Sequence, residues 1–157
     1  MDLVFVKGNQ CFNYRAAAVC IEEGHILLNR GKEEDYWFLP GGRVQMMESG
    51  AEALRRELKE EIGAVLHVES LLWIVENFFI LDKHQFHEIG LYYKGALQGS
   101  SFIEKGGTPF VIQDQQKEFL FQWIPIEQVK HLNIQPTFLQ NRLEQLPKYT
   151  EHLILRQ

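Results

Sequence analysis

The sequence predicts a single α/β (α+β) domain, and three observations carry that reading. Residues 51–62 have the spacing of an amphipathic helix whose apolar stripe suits a sheet. Strand-like runs flank it at 15–21, 25–28, 66–81 and 86–97. The chain of 157 residues shows no repeat, low-complexity tract or linker, so one domain over 1–157 accounts for all of it.

In chain order, 3–6 reads as a short strand followed by a Gly8-Asn9 turn. The runs 15–21 and 25–28 are strands joined by Glu22-Glu23-Gly24, which makes them expected neighbours. The segment 30–35 is a polar loop and a candidate edge of the site, and Trp37-Phe38 lead as a short strand into a Pro40-Gly41-Gly42 loop. The helix follows, with Ala51, Leu54, Leu58 and Ile62 as its stripe and Gly63 as a left-handed C-cap. Residues 66–81 suggest one long or bulged strand, 82–84 its turn and 86–97 its hairpin partner. The stretch 99–116, rich in Ser, Gly, Pro and Gln, reads as a long loop that shapes a ligand site. A strand at 118–124, a short helix at 126–132 opened by Pro125, a second helix at 136–146 striped by Phe138, Leu139, Leu143 and Leu146, and a last strand at 152–155 complete the chain.

A net charge of −5 excludes a nonspecific nucleic-acid or anionic-membrane binder, each of which needs a basic footprint. No apolar run reaches the length of a membrane span, and the N-terminus lacks the basic-then-apolar form of a signal peptide. Cys11 and Cys20 are too few for a disulfide framework, so a reducing cytoplasmic location is expected. His84, His87 and Glu88 lie in a strand without helical zinc-site spacing. They read as ordinary strand residues, with Glu88 facing the site as the alternative.

The segment 39–65 carries the chemistry. At 100° per residue, Glu57, Glu60 and Glu61 share one edge of the helix within roughly 100°. Like charges so placed repel by a few tenths of a kcal/mol per pair, a cost that a hard divalent cation reverses because Mg²⁺ takes oxygen ligands and pairs carboxylates with phosphates. A carbonyl of the glycine loop is a further candidate ligand. Arg15, at a strand entrance, and Arg43, directly after the glycines, are candidate phosphate contacts by virtue of their planar donor fork.

From Gly42 the order is five residues, Glu48, seven residues, Arg56-Glu57-Leu58, one residue, Glu60-Glu61, one residue, Gly63 and an apolar residue. This pattern resembles the Nudix box of the Nudix hydrolases, with Ala64 where a bulkier aliphatic residue is usual. Weaker similarity, including Trp37 to Gly42, extends through most of the chain. The resemblance implies a mixed β-sheet packed between α-helices and a metal-dependent hydrolase cleaving the diphosphate linkage of a small-molecule nucleoside diphosphate derivative. By position it gives Mg²⁺ or Mn²⁺ to Glu57, Glu60 and Glu61, with the Gly41 carbonyl as an additional ligand. It leaves open which glutamate takes the proton from water. Arg56 is expected to orient carboxylates and pair with Glu48, and Glu118 is the candidate acid from outside the box. Arg30 joins Arg15 and Arg43 as a substrate-binding candidate through its loop.

Two other readings stand beside this one. A Nudix domain that senses a nucleotide metabolite without turnover is disfavoured by the intact set of glutamates. Catalysis on a non-nucleotide diphosphate, such as an isoprenoid diphosphate, is not excluded, whereas a capped RNA end is disfavoured by the absence of a basic surface. The N-terminal strand and the aromatic-rich 71–81 segment form a candidate homodimer surface.

Overall fold

A computed structural model describes residues 1–98, 109–114 and 116–157. Ten strands form two sheets around one α-helix among these residues. The larger sheet holds β1 (Val4–Lys7), β2 (Gln10–Val19), β5 (Gly41–Arg43), β6 (Val65–Leu81), β7 (His84–Gln98) and β10 (Glu151–Arg156), in the order β1-β2-β7-β6-β10 with β5 also on β2. It is mixed, because β2 runs parallel to β7 and β10 parallel to β6, while the β6–β7 hairpin is antiparallel. The smaller sheet is antiparallel, with β3 (Ile21–Glu22), β4 (His25–Gly31), β9 (Lys117–Pro125) and β8 (Phe110–Asp114) in the order β3-β4-β9-β8.

Strand alternation sends neighbouring side chains into two cores. Ala16, Ala18 and Cys20, Leu27, and Phe121 and Trp123 pack with Ala53, Leu54, Leu58 and Ile62 of α1 (Gly50–Ile62). Val19, Ile26, Leu28 and Ile124 point the other way, into a core with Trp73, Val129, Ile134, Leu139 and Leu143. One layer of strands therefore lies between α1 and the 3₁₀ segments Ile126–His131 and Thr137–Asn141. A fully buried side chain of this size contributes about 1.5–3 kcal/mol, so two separate cores brace the strands from both sides.

Several expectations are corrected. The runs 15–21 and 25–28 are not simple neighbours: only Ile21–Glu22 pairs with His25 and Ile26, and β2 belongs to the other sheet. Both edges of β2 are taken, one by β7 and the other by β1 and β5 in succession, which leaves no edge for β4. Gly41 and Gly42 lie in the short strand β5, not in a loop. The buried stripe of α1 runs through Ala53 in place of Ala51, which is only half-buried. Thr137–Asn141 is a single 3₁₀ piece and the predicted helix over 136–146 is not formed. It has no side-chain cap, and so short a helix gains little without one. Part of the expected 99–116 loop is the strand Phe110–Asp114; residues 99–108 lie outside the described residues.

Two expectations hold, the long bulged strand and the left-handed C-cap. Strand β6 is long and bulged, with register shifts between Val68 and Ser70 and between Leu71 and Trp73. Gly63 ends α1 in the left-handed conformation at φ 66°, where its N–H reaches the Lys59 carbonyl and Ala64 N–H reaches Leu58. Ser49 and Glu52 form a reciprocal capping box that fixes the first turn and adds about 1 kcal/mol. No helix among the described residues is long and apolar enough to cross a membrane.

Candidate active site

The site begins with how the start of α1 is tied down. Glu48, just before the N-cap, accepts the Gln45 N–H at 2.9 Å and two hydrogen bonds from Arg56, from Nε at 2.6 Å and Nη2 at 3.0 Å. The remaining donors of Arg56 reach Glu57 Oε1 at 2.8 Å, Glu60 Oε2 at 3.4 Å and the Arg43 carbonyl at 3.0 Å. One guanidinium, 22% exposed, thus fixes two glutamates of the helix edge relative to strand β5. Its hydrogen bonds to Glu48 hold its proton more firmly than usual, and the Arg56 bonds hold the Glu48 carboxyl below the ordinary carboxylate range.

The three glutamates are graded in exposure. Glu60 is 60% exposed, Glu57 only 18%, and Glu61 is half-buried with one carboxylate oxygen enclosed. Burial pushes the Glu57 carboxyl up against the pull of Arg56; Glu60 adds to the rise and Arg15 opposes it. The Glu57 carboxylate lies on Gly42, where a Cβ would stand 2.3 Å from its Cδ. Gly41 meets the backbone instead, with Ala16 O at 2.1 Å from such a Cβ. Neither glycine has a positive φ, so close approach and not unusual backbone geometry is what needs them.

A cavity of about 730 Å³ adjoins this edge, within the range of small-molecule sites. Arg15 and Arg43, Cα partners across β2 and β5, both line it. Arg43 is steadied by Asn13, whose Oδ1 accepts from its Nε at 3.0 Å, and lies 3.9 Å from Asp2. Asn13 Nδ2 donates in turn to Glu88 Oε2 at 2.7 Å. Glu88 also lines the cavity, together with Asn77, Tyr92, Phe79, Phe86, Tyr36 and Phe38. Burial pushes the Tyr92 phenol up, Glu88 adds to the shift and Arg15 opposes it.

The remaining candidates have partners elsewhere. Arg30 Nη1 donates to the carbonyls of Glu34 at 2.5 Å and Lys32 at 3.2 Å, and its guanidinium lies 5.2 Å from the Trp37 ring. Glu118 binds Lys32 Nζ at 2.6 Å and accepts from Gln113 at 3.2 Å. Neither lines the cavity. Asn13 and Asn77, each 4% exposed, and Tyr36 carry no sequence motif. The available signal was a polar residue inside a strand: Asn13 falls two before Arg15, hence on the same face, and Asn77 interrupts an apolar run.

The donor set along α1 is all carboxylate oxygen, as a hard divalent cation requires, and Gly42 leaves room for the Glu57 carboxylate where any side chain would displace it. On these grounds the residues fit Mg²⁺ or Mn²⁺. Among the described residues no three acidic, His or Cys side chains converge into a closed cage, since Glu57 and Glu60 both turn to Arg56.

A mixed sheet lies against one long helix, and the glutamate edge of that helix is braced by Arg56. The chain belongs to the Nudix family, matching the NUDIX domain over residues 13–145. It is 35% identical to the zebrafish (Danio rerio) 8-oxo-dGDP phosphatase NUDT18 over 79 residues, 49% of this chain and 24% of that protein. The chain thus spans about a quarter of the length of that relative. It is 24% identical to an 8-oxo-dGTP diphosphatase from Buchnera aphidicola over 121 residues, 73% of this chain and 78% of that one. A Nudix hydrolase from Nitrosomonas europaea shares the fold at TM-score 0.62 and 18% identity, covering 84% of this chain and 86% of that chain.

Proposed function

We propose that the chain is a divalent-metal-dependent pyrophosphohydrolase that cleaves the diphosphate linkage of a nucleoside diphosphate joined to another group. The observation that carries this reading is the half-buried Glu57, seated on Gly42 and ion-paired to Arg56 beside a cavity lined by Arg15 and Arg43. Burying a carboxylate beside a second one is costly unless positive charge compensates, and the arginines supply only part of it.

Glu57, Glu60 and Glu61, with the Gly41 carbonyl, would hold Mg²⁺ or Mn²⁺, which would neutralise charge on phosphate oxygens and make water more acidic. The protein's own groups do the rest. Arg56 orients Glu57 and Glu60 toward β5. Arg15 and Arg43 hold the substrate's phosphates by their planar donors. One of the helix glutamates accepts the proton of the attacking water, aligned opposite the leaving phosphate. The polar rim from Arg30 to Glu34, locked by Arg30 and by the Lys32–Glu118 pair, shapes the approach.

A panel of nucleoside diphosphate derivatives and nucleoside triphosphates, incubated with Mg²⁺ and analysed for released mononucleotide, tests the reading. The panel includes oxidised deoxyguanosine nucleotides because two relatives are named for them. Product formation supports catalysis. A rise in melting temperature with a ligand but no product from any compound identifies a sensor instead. The exposed Phe5, Val6 and Ile80 support a second copy of the chain as the macromolecular partner, which sedimentation at micromolar concentration checks.

A further inference from the structure

We infer that Glu88 is a specificity-determining residue of the cavity and selects a guanine-type base, one presenting a ring N–H and an adjacent amino group to a single carboxylate. The inference rests on reading the cavity as a nucleotide site, and it deepens that reading.

Glu88 stands in the middle strand of three, with Asn13 as its Cα partner on β2 and Asn77 on β6. All three line the cavity, and both asparagines are 4% exposed. Asn13 is held in one orientation, since its oxygen takes Arg43 Nε at 3.0 Å and its nitrogen gives to Glu88 Oε2 at 2.7 Å; a flipped amide would satisfy neither. The Asn77 oxygen is likewise engaged by Gln157 at 2.8 Å. Glu88 is therefore fixed by one oxygen, while Oε1 accepts no hydrogen bond among the described residues and the residue lines the cavity.

The surroundings suit a flat ring. Among the lining residues, Phe79 and Phe86 stack at 4.9 Å between centroids, and Tyr36 and Phe38 meet edge to face at 5.3 Å. Within these aromatic walls a carboxylate offers acceptors only. Guanine brings N1–H and its 2-amino group side by side and satisfies two acceptor sites at once. Adenine sets a ring acceptor next to its amino donor, so one acceptor would face another and stay unpaired. A bidentate match of this kind discriminates by about ten- to hundredfold. Arg15, two residues from Asn13 on the same strand face and so ~7 Å along it, leaves the phosphate end of such a ligand to the arginines.

The competing reading is that Glu88 only steadies Asn13 and, through it, Arg43. That role would affect every base equally, so the ratio between bases separates the two. Calorimetric titration of GMP, IMP and AMP into the full chain, repeated with Glu88→Gln, is the test. GMP is expected to bind about tenfold or more tighter than AMP, with IMP, which lacks the 2-amino group, in between. Glu88→Gln keeps an acceptor for Asn13 but replaces the other oxygen with a donor, and the GMP to AMP ratio is expected to fall to about one. Equal binding of GMP and AMP, no measurable GMP binding at millimolar concentration, or an unchanged ratio in the variant would overturn the inference. If the variant fails to unfold cooperatively on heating, the wild-type series of three nucleotides decides alone. A GMP preference without hydrolysis of any derivative leaves Glu88 as assigned and removes the catalytic reading. Hydrolysis with no base preference does the reverse.

Discussion

Arg56 grips Glu48 through two hydrogen bonds, 2.6 and 3.0 Å, across the N-cap of the helix that carries both Arg56 and the site glutamates. The contact closes the chain from β5 into α1, since the same guanidinium also reaches the Arg43 carbonyl at 3.0 Å. Position on the helix alone would leave Glu57 and Glu60 free to splay into solvent. The arginine sets them relative to the sheet and thereby to the cavity.

Replacing Arg56 by Ala removes every one of these donors and leaves Glu48 and Glu57 without their shared partner. Breaking a largely enclosed ion pair from one side costs about 3 kcal/mol, so thermal unfolding should shift down by several degrees. Arg56→Lys keeps the charge but not the fork, and is expected to restore only part of the loss.

Glu60→Gln with Glu61→Gln is expected to lower turnover by orders of magnitude while the melting temperature moves little. Glu60 is 60% exposed and its removal reduces repulsion along the helix edge. Full activity in the double variant would reject the metal-dependent reading; the readout is the rate of product release with saturating Mg²⁺.

The two glycines of β5 should fail in different ways. Gly42→Ala places its Cβ 2.3 Å from the Glu57 Cδ, so the side chain must swing away and activity should fall well before stability. Gly41→Ala meets the Ala16 carbonyl at 2.1 Å, a backbone atom that cannot step aside. Its pairing with β2 should be lost at a cost of about 1–3 kcal/mol or more, visible in a denaturant titration.

Acid should weaken the fold partly through Glu48. Its folded carboxyl titrates below the ordinary range because Arg56 and the Gln45 N–H favour the charged form. Its contribution is therefore complete above the ordinary carboxylate value of 4.5 and is lost as pH falls through the lower folded value. Glu48→Gln should be less stable than wild type near neutrality, and the gap should narrow as the pH is taken below about 4. A gap independent of pH would reject this account.

Cys20 should resist thiol reagents in the folded state. Burial pushes its thiol up to about 12, with Glu22 and Glu69 acting in the same direction. Thiolate, the reactive form, is then scarce at neutral pH and the side chain is inaccessible as well. Labelling at pH 7.5 is expected to proceed for Cys20 only at the rate of unfolding, read by mass spectrometry with and without denaturant.

The helix, its C-cap and the glutamate edge were legible because their signals are local. The 3.6-residue period, the terminal glycine and the arginine-glutamate spacing act within a few turns. Gly41 and Gly42 were legible as a point of close approach but not as a strand, because the edge they pair with belongs to β2, many residues away. The same distance hid the sheet assignment of β4. A hydrophobic run shows that a strand is buried and is silent about which neighbour still has a free edge.

By itself the sequence determined the family resemblance, the mixed α/β class, and the acidic edge with its arginine, since each is written in residue type and spacing along a continuous stretch. Only the tertiary structure decided that Asn13, Glu88 and Asn77 lie side by side on a cavity floor, and that Arg15 and Arg43 open onto it while Arg30 and Glu118 pair elsewhere. The physical reason is strand pairing. Register between β2, β7 and β6 is fixed by two cores and by backbone hydrogen bonds between distant segments, and a single strand's pattern carries no record of its partner.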